Sequence, residues 1–179
     1  DYTNQLKGYE ETRFNLNGKI APKGFFGSGL LASPFLFLGN YIDGIVKSYF
    51  TESYSNFMNY GLLLYSLSSI FYMFLTIELL KRILQNIDIN IKKLEILLLY
   101  ASSGVFYYAF ERFSMSHIYE TFTITLVIFF TVEYFKNSKK LSAFLVPLCM
   151  LLALLVRLVN YYVLIIPLIV RIIFFNKTA

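Results

Sequence analysis

Residues 141–175 read LSAFLVPLCMLLALLVRLVNYYVLIIPLIVRIIFF, an apolar stretch in which the only charged side chains are Arg157 and Arg171. A helix that crosses a bilayer needs about 20 apolar residues, with some tolerance where the membrane thins locally. The stretch is therefore long enough for two short spans, 141–157 and 159–175. Because so few residues separate them, the sequence predicts a helical hairpin that turns at Arg157–Asn160.

Three further apolar runs precede this hairpin, at residues 57–80, 94–110 and 117–135. They are continuous rather than alternating, and a β-barrel would need many more short alternating segments. The sequence thus predicts an all-α, polytopic transmembrane helical bundle of about five spans over residues 57–179.

Composition supports a membrane location. Of the 179 residues, 57% are hydrophobic and only 15% are charged, and the mean hydropathy is +0.59. A soluble domain of this size cannot bury so much apolar surface. The net charge of +5 comes from basic residues at helix ends, without a basic stripe carrying stacking aromatics, so we expect no nucleic-acid partner. One histidine and one cysteine form no zinc motif, and we expect no metal site among the chain's own residues and no cofactor. A requirement for a divalent metal ion stays an open alternative.

The N-terminal region differs from the rest of the chain. We predict that residues 1–56 form an external loop, with a helix at about 24–40 (GFFGSGLLASPFLFLGN) lying in the membrane interface. This segment is apolar but short, with three glycines near its start and a central Pro34, which favours an interfacial helix. A sixth membrane span at this position remains an alternative.

The distribution of lysine and arginine predicts the orientation. Basic residues concentrate at 81–93, at 136–140 and after the last span, and the positive-inside rule places such segments in the cytoplasm. The C-terminus is then cytoplasmic, and the turns at 111–117 and 157–160 face outward together with the N-terminal loop. We therefore expect an integral membrane protein with these segments on its external side.

Several ionisable residues fall at one predicted depth, near the external face. His117 and Glu120 are three positions apart and share a helix face, and Arg157 is surrounded by lipid-like sequence. Ionisable groups at membrane depth cost free energy unless they are paired or hydrated, which favours a functional site. The candidate site residues are Glu111, His117, Glu120 and Arg157, joined by Lys19 and Lys23 of the external loop. The structural alternative is that His117 and Glu120 stabilise their own first helical turn.

Three blocks of sequence resemble a known family. The first comprises DYTN at Asp1–Asn4 and KGFFGSGLLASPFLFLGN at 23–40, the second FYYAFERFSMSHIYETF at 106–122, and the third LLALLVRLVNYYVLIIPL at 151–168. In this order and spacing they resemble bacterial membrane glycosyltransferases of the GT-C superfamily, of the protein mannosyltransferase (family 39-like) type. Two departures from the family pattern stand at Gly24–Phe25 and Leu158–Val159.

The resemblance implies an enzyme of a bacterial inner membrane whose active face is external. It would transfer a sugar from a polyprenyl-phosphate donor to a hydroxyl of a glycan, lipid or protein acceptor at that face. The resemblance implies that Lys19, Lys23 and Arg157 hold the donor phosphate, with Glu111, His117 and Glu120 in catalytic or supporting roles. It also implies that a first transmembrane helix with an acidic motif precedes Asp1, and that further helices follow the present chain. Two alternatives stay open: a transporter or flippase subunit for lipid-linked sugars, and a non-catalytic membrane scaffold.

Overall fold

The structure, a computed structural model, describes residues 26–49, 59–111 and 116–176. These residues form helices without any strand, which confirms the predicted all-α class. The elements are α1 (Phe26–Tyr49), α2 (Tyr60–Asn86), α3 (Lys93–Ala101), α4 (Gly104–Phe110), α5 (His117–Asn137), α6 (Lys140–Val156), a 3₁₀ helix (Leu158–Ile165) and α7 (Ile166–Asn176).

Within the described ranges, three helices have the length and apolar composition needed to cross a membrane: α1, α2 and α5. The segments Lys140–Val156 and Leu158–Phe174 are also apolar but shorter. The structure is therefore compatible with a membrane protein, while the number of spans and the side of the membrane on which each end lies stay predictions.

Helix α1 is longer than the sequence suggested, with 24 residues from Phe26 to Tyr49 instead of the segment 24–40. Pro34 lies inside this helix without ending it. Proline has no N–H to donate to the carbonyl four residues earlier, and the hydroxyl of Ser33 donates to that carbonyl, of Leu30, at 2.8 Å. A serine that takes over the freed backbone acceptor allows proline inside an apolar helix.

The predicted span 94–110 is two short helices, α3 and α4, separated at Ser102 and Ser103. Both serine hydroxyls donate to carbonyls three residues earlier, at 2.9 and 2.7 Å. Such local bonds compete with helical ones, and the following Gly104 is a poor helix former. The sequence Ser-Ser-Gly therefore divides the run.

Helix α5 lies at the centre of the bundle and packs against α2, α6 and α7. Its residues Tyr119, Val127 and Val132 are buried. Polar atoms in the interior are also bonded: the hydroxyls of Ser68 and Tyr119 are 2.7 Å apart, and Ser69 Oγ donates to the Ala109 carbonyl at 2.6 Å. These bonds between helices fix α4 and α5 at one level of α2.

Helix α1 packs on the first half of α2 in the opposite direction. Gly39 faces the backbone of Tyr60 and Gly61, and the hydroxyl of Tyr72 donates to the Leu31 carbonyl at 2.9 Å. The carboxylate of Asp43 accepts the N–H groups of Tyr60 and Gly61 at 2.9 and 3.2 Å. A carboxylate at a helix N-terminus satisfies exposed donors and complements the helix dipole, so Asp43 joins the end of α1 to the start of α2.

The 3₁₀ helix between α6 and α7 has eight residues, where runs longer than about four are uncommon. Pro167 contributes to it, because its ring excludes an α-helical bond to the carbonyl of Val163. That carbonyl accepts the N–H of Ile166 instead. Regular α-helix resumes at Ile166 and continues as α7.

Candidate functional site

The fold brings together three of the predicted site residues at one end of α5 and α6. Nη1 of Arg157 donates to Oε2 of Glu120 at 2.9 Å. Nδ1 of His117 is 3.5 Å from the same carboxylate oxygen and 3.5 Å from Arg157 Nη1. We call these three residues the Arg157 cluster.

The position of Arg157 follows from how α6 ends. Arg157 has an extended backbone, with φ −156° and ψ 127°, between the last turn of α6 and the 3₁₀ helix. The carbonyl of Ala153 accepts both the Arg157 N–H at 3.1 Å and Nδ2 of Asn160 at 3.0 Å. Asn160 is fully buried, so its side chain fixes the turn that aims Arg157 toward α5.

The other two members come from the first turn of α5. His117 begins the helix, and Glu120 lies one turn later. The ring of Tyr108 on α4 packs on the imidazole, with centroids 4.4 Å apart and planes at 46°. Tyr119, between them, is bonded to Ser68 of α2. The start of α5 is thus held from two sides, which limits the movement of His117 and Glu120.

The Arg157 cluster does not lie at the outermost part of the molecule. Glu120 is 13 residues along α5 from Glu133, or about 20 Å at the helical rise. Glu133 pairs with Lys139 at 2.6 Å at the opposite end of the bundle. Because Tyr119 and Ser68 are at one level, the first eight residues of α2 extend roughly 12 Å beyond the cluster. Helix α1 lies beside that extension.

The start of α1 lies next to the cluster. Gly27 packs so closely on the backbone of Leu155 and Val156 that a side chain there would overlap it. The cluster itself is partly accessible, with side-chain exposures of 32% for Arg157, 15% for Glu120 and 38% for His117. It is therefore a half-buried polar group within apolar surroundings, and part of each side chain remains exposed.

The remaining predicted residues are not part of this arrangement. Glu111 is exposed at the end of α4, and among the described residues no hydrogen bond or ion pair joins it to the cluster. Lys19 and Lys23 lie outside the described residues. Over the described ranges, no group of three or more histidine, cysteine, aspartate or glutamate side chains is placed to hold a metal ion.

Sequence reasoning placed Arg157 and Glu120 at one depth but did not pair them, and it did not include Tyr108 among the candidate site residues. The information for the pairing was present, since an arginine within an apolar run needs a nearby anion and Glu120 was at the same predicted depth. The contact of Tyr108 with His117 depends on the division between α3 and α4, which periodicity did not reveal.

A guanidinium has five N–H donors in a planar fork that matches the oxygens of phosphate or carboxylate. Arg157 can therefore bind an anionic group of a ligand while it remains paired with Glu120. The imidazole can donate or accept a proton, and the carboxylate can orient both neighbours. The cluster can therefore bind an anionic group such as a phosphate or a carboxylate. No protein-family model, curated protein or solved structure matches this chain.

Proposed function

We propose that the protein is an integral membrane glycosyltransferase of the GT-C type, which transfers a sugar from a polyprenyl-phosphate donor to an acceptor hydroxyl at the external face. The observation that carries this proposal is the convergence of Arg157, Glu120 and His117 in a half-buried cluster. These residues belong to two of the blocks that resemble the family, 106–122 and 151–168. The two blocks are distant in sequence, and their polar residues meet in the fold.

The proposed donor has a charged phosphate and a long apolar chain, and the surroundings of the cluster suit both parts. Arg157 offers a cation directly after Leu155 and Val156, against whose backbone the start of α1 packs at Gly27. Exposed apolar side chains lie nearby on α1 and along the 3₁₀ helix, including Phe26, Leu30 and Leu158. A polyprenyl chain can lie on such a surface in the bilayer while its phosphate reaches the cluster.

In the reaction, the acceptor oxygen attacks the anomeric carbon of the sugar, and the bond from that carbon to the phosphate oxygen breaks. The polyprenyl phosphate leaves with the bonding electron pair, and the acceptor proton passes to a carboxylate. Negative charge therefore grows on the phosphate in the transition state. A fixed guanidinium at that oxygen lowers the barrier because it stabilises developing charge, and this is the role proposed for Arg157.

The remaining roles fall to Glu120, Glu111 and His117. Glu120 already accepts a bond from Arg157, so we assign it the positioning of the guanidinium. Glu111 is exposed and is the candidate that can approach an acceptor as general base, for which position near the hydroxyl matters before pKa. His117, against both Arg157 and Glu120, orients the pair or donates a proton.

One observation favours a second function, that of a non-catalytic scaffold. The charge of Arg157 is balanced by Glu120 within the protein, and a paired arginine can be retained for structure alone. The two functions predict different consequences of removing Arg157: loss of transfer with the fold kept, or loss of the fold.

The deciding experiment measures sugar transfer by the complete protein in liposomes, using a panel of radiolabelled polyprenyl-phosphate sugars. Arg157→Ala is compared with Arg82→Ala, a matched control because Arg82 also pairs with a glutamate, Glu78, at 3.5 Å, but at the other end of the bundle. We expect Arg157→Ala to lower transfer about a hundredfold or more, as when a donor to developing charge is lost. Arg82→Ala should retain it.

Circular dichroism and size-exclusion chromatography establish whether each variant is folded. Transfer that survives in a folded Arg157→Ala variant contradicts the role given to Arg157. Absence of transfer from every donor by the folded wild-type protein contradicts the enzyme and favours the scaffold.

A further inference from the structure

An open groove lies at the end of the bundle opposite the Arg157 cluster. It has a volume of about 380 Å³ and is lined by Tyr134, Phe135, Ser138 and Arg171. These residues come from the last turn of α5, the turn that follows it, and α7. The groove is therefore a gap between two helices that pack together deeper in the bundle.

The groove combines an apolar wall with polar groups. The ring of Phe135 stacks on Phe174 of α7, with centroids 6.5 Å apart and planes at 26°. Beneath them, Val132 and Val170 belong to a buried apolar cluster. The residues lining the groove that carry polar side-chain groups are Arg171, Ser138 and Tyr134.

The electrostatic surroundings favour an anion. This end of the described bundle carries eight basic residues, Lys81, Arg82, Lys92, Lys93, Lys136, Lys139, Lys140 and Arg171, and four acidic ones, Glu78, Asp88, Glu95 and Glu133. Much of the acidic charge is already matched, since Glu78 pairs with Arg82 and Lys93 and Glu133 pairs with Lys139. With eight basic and four acidic residues, this end of the described bundle therefore carries a net positive charge, to which Arg171 in the groove contributes.

We propose that this groove binds the phosphate headgroup of an anionic glycerophospholipid. Arg171 holds the phosphate, because a guanidinium matches phosphate oxygens in geometry and can serve more than one partner. The hydroxyl of Ser138, which ends α5 in a left-handed conformation with φ 50°, is a second donor. Basic pockets between membrane helices are a known mode of lipid recognition.

The occupant is a lipid rather than a soluble phosphate because an exposed apolar surface of α7 adjoins the groove. The outer face of α7 next to Arg171 exposes Leu168, Ile172 and Ile173. Acyl chains can lie along these side chains while the headgroup stays in the groove beside Arg171. This site is separate from the Arg157 cluster and does not depend on the proposed enzyme activity.

The test measures lipid binding to the complete protein in detergent by native mass spectrometry, with phosphatidylglycerol, phosphatidylcholine and soluble glycerol phosphate as separate probes. Arg171→Gln is compared with Lys140→Gln, which removes one positive charge at the same end without altering the lining of the groove. We expect phosphatidylglycerol to bind in preference to phosphatidylcholine. Arg171→Gln should weaken its binding about tenfold, the scale for losing a charge-assisted hydrogen bond, and Lys140→Gln should change it much less.

Equal weakening by the two variants, or equal binding of the two lipids, would overturn the proposal. So would binding of glycerol phosphate as tight as that of phosphatidylglycerol, since it would identify a soluble anion as the ligand. Size-exclusion profiles of each variant separate loss of binding from loss of fold. In a correctly folded Arg171→Gln variant, unchanged phosphatidylglycerol binding also rejects the site.

Discussion

The contact between Gly39 of α1 and Gly61 of α2 gives a prediction whose size can be worked from the structure. A methyl group on Gly39 would lie 2.6 Å from Gly61 Cα and 2.6 Å from the Tyr60 carbonyl oxygen, whereas ordinary contact begins at 3.4 Å. Because both obstacles are backbone atoms, the two helices must separate by roughly 0.8 Å before the methyl group fits. Gly39→Ala should therefore destabilise the protein.

Overpacking of this kind costs about 1–3 kcal/mol. The separation also weakens the bonds from Tyr60 and Gly61 to the Asp43 carboxylate, which are now 2.9 and 3.2 Å long. Against these losses, alanine gains about 1 kcal/mol over glycine in a helix. We expect a net loss of about 2 kcal/mol in the free energy of unfolding.

The matched control is Gly44→Ala in the same helix, where nothing lies within 4 Å of the added methyl group. There only the helix preference acts, and stability should rise by up to about 1 kcal/mol. Unfolding of both variants is followed by circular dichroism in mixed micelles as the denaturing detergent is increased. If the two substitutions shift the transition in the same direction by the same amount, the result contradicts the close packing of α1 on α2 at Gly39.

Two further predictions concern contacts inside the bundle. A double-mutant cycle of Arg157→Ala and Glu120→Ala should give a coupling of roughly 1–2 kcal/mol in unfolding, because the pair is partly buried; additive effects would contradict the 2.9 Å contact. Ser68→Ala and Tyr119→Phe each remove one side of a buried hydroxyl pair, and each should cost about 1 kcal/mol. Their combination should cost less than the sum, and a full sum in the same unfolding assay would argue against the bond.

Apolar runs were sufficient to predict helices, and the structure has helices at all of them. Periodicity did not predict that 94–110 is divided, because Ser102 and Ser103 act through local hydroxyl bonds that a hydropathy average does not contain. Nor did it predict the full length of α1, since the apolar run stops near Asn40 whereas the helix continues to Tyr49 through the charged residues Asp43 and Lys47.

The candidate site was predictable as a set of residue types but less so as a set of contacts. The spacing of His117 and Glu120 placed them on one helix face, and in the structure Nδ1 of His117 is 3.5 Å from Oε2 of Glu120. The contact of Glu120 with Arg157 joins residues 37 positions apart and depends on how α5 and α6 pack. The close approach of α1 to α6 at Gly27 likewise arises from tertiary packing.

The eight-residue 3₁₀ helix also determines which face α7 presents to the bundle. A 3₁₀ helix turns about 120° per residue and an α-helix about 100°, so over eight residues the two differ by about 160° in azimuth. They also differ by about 4 Å in length. If residues 158–165 were α-helical, Val170 would point away from its partners Ile83 and Val132, and Arg171 would leave the groove at the end of α5. The 3₁₀ winding of this segment thus determines the rotation of α7 about its own axis. The orientation of the last helix therefore depends on the segment that begins at the turn carrying Arg157.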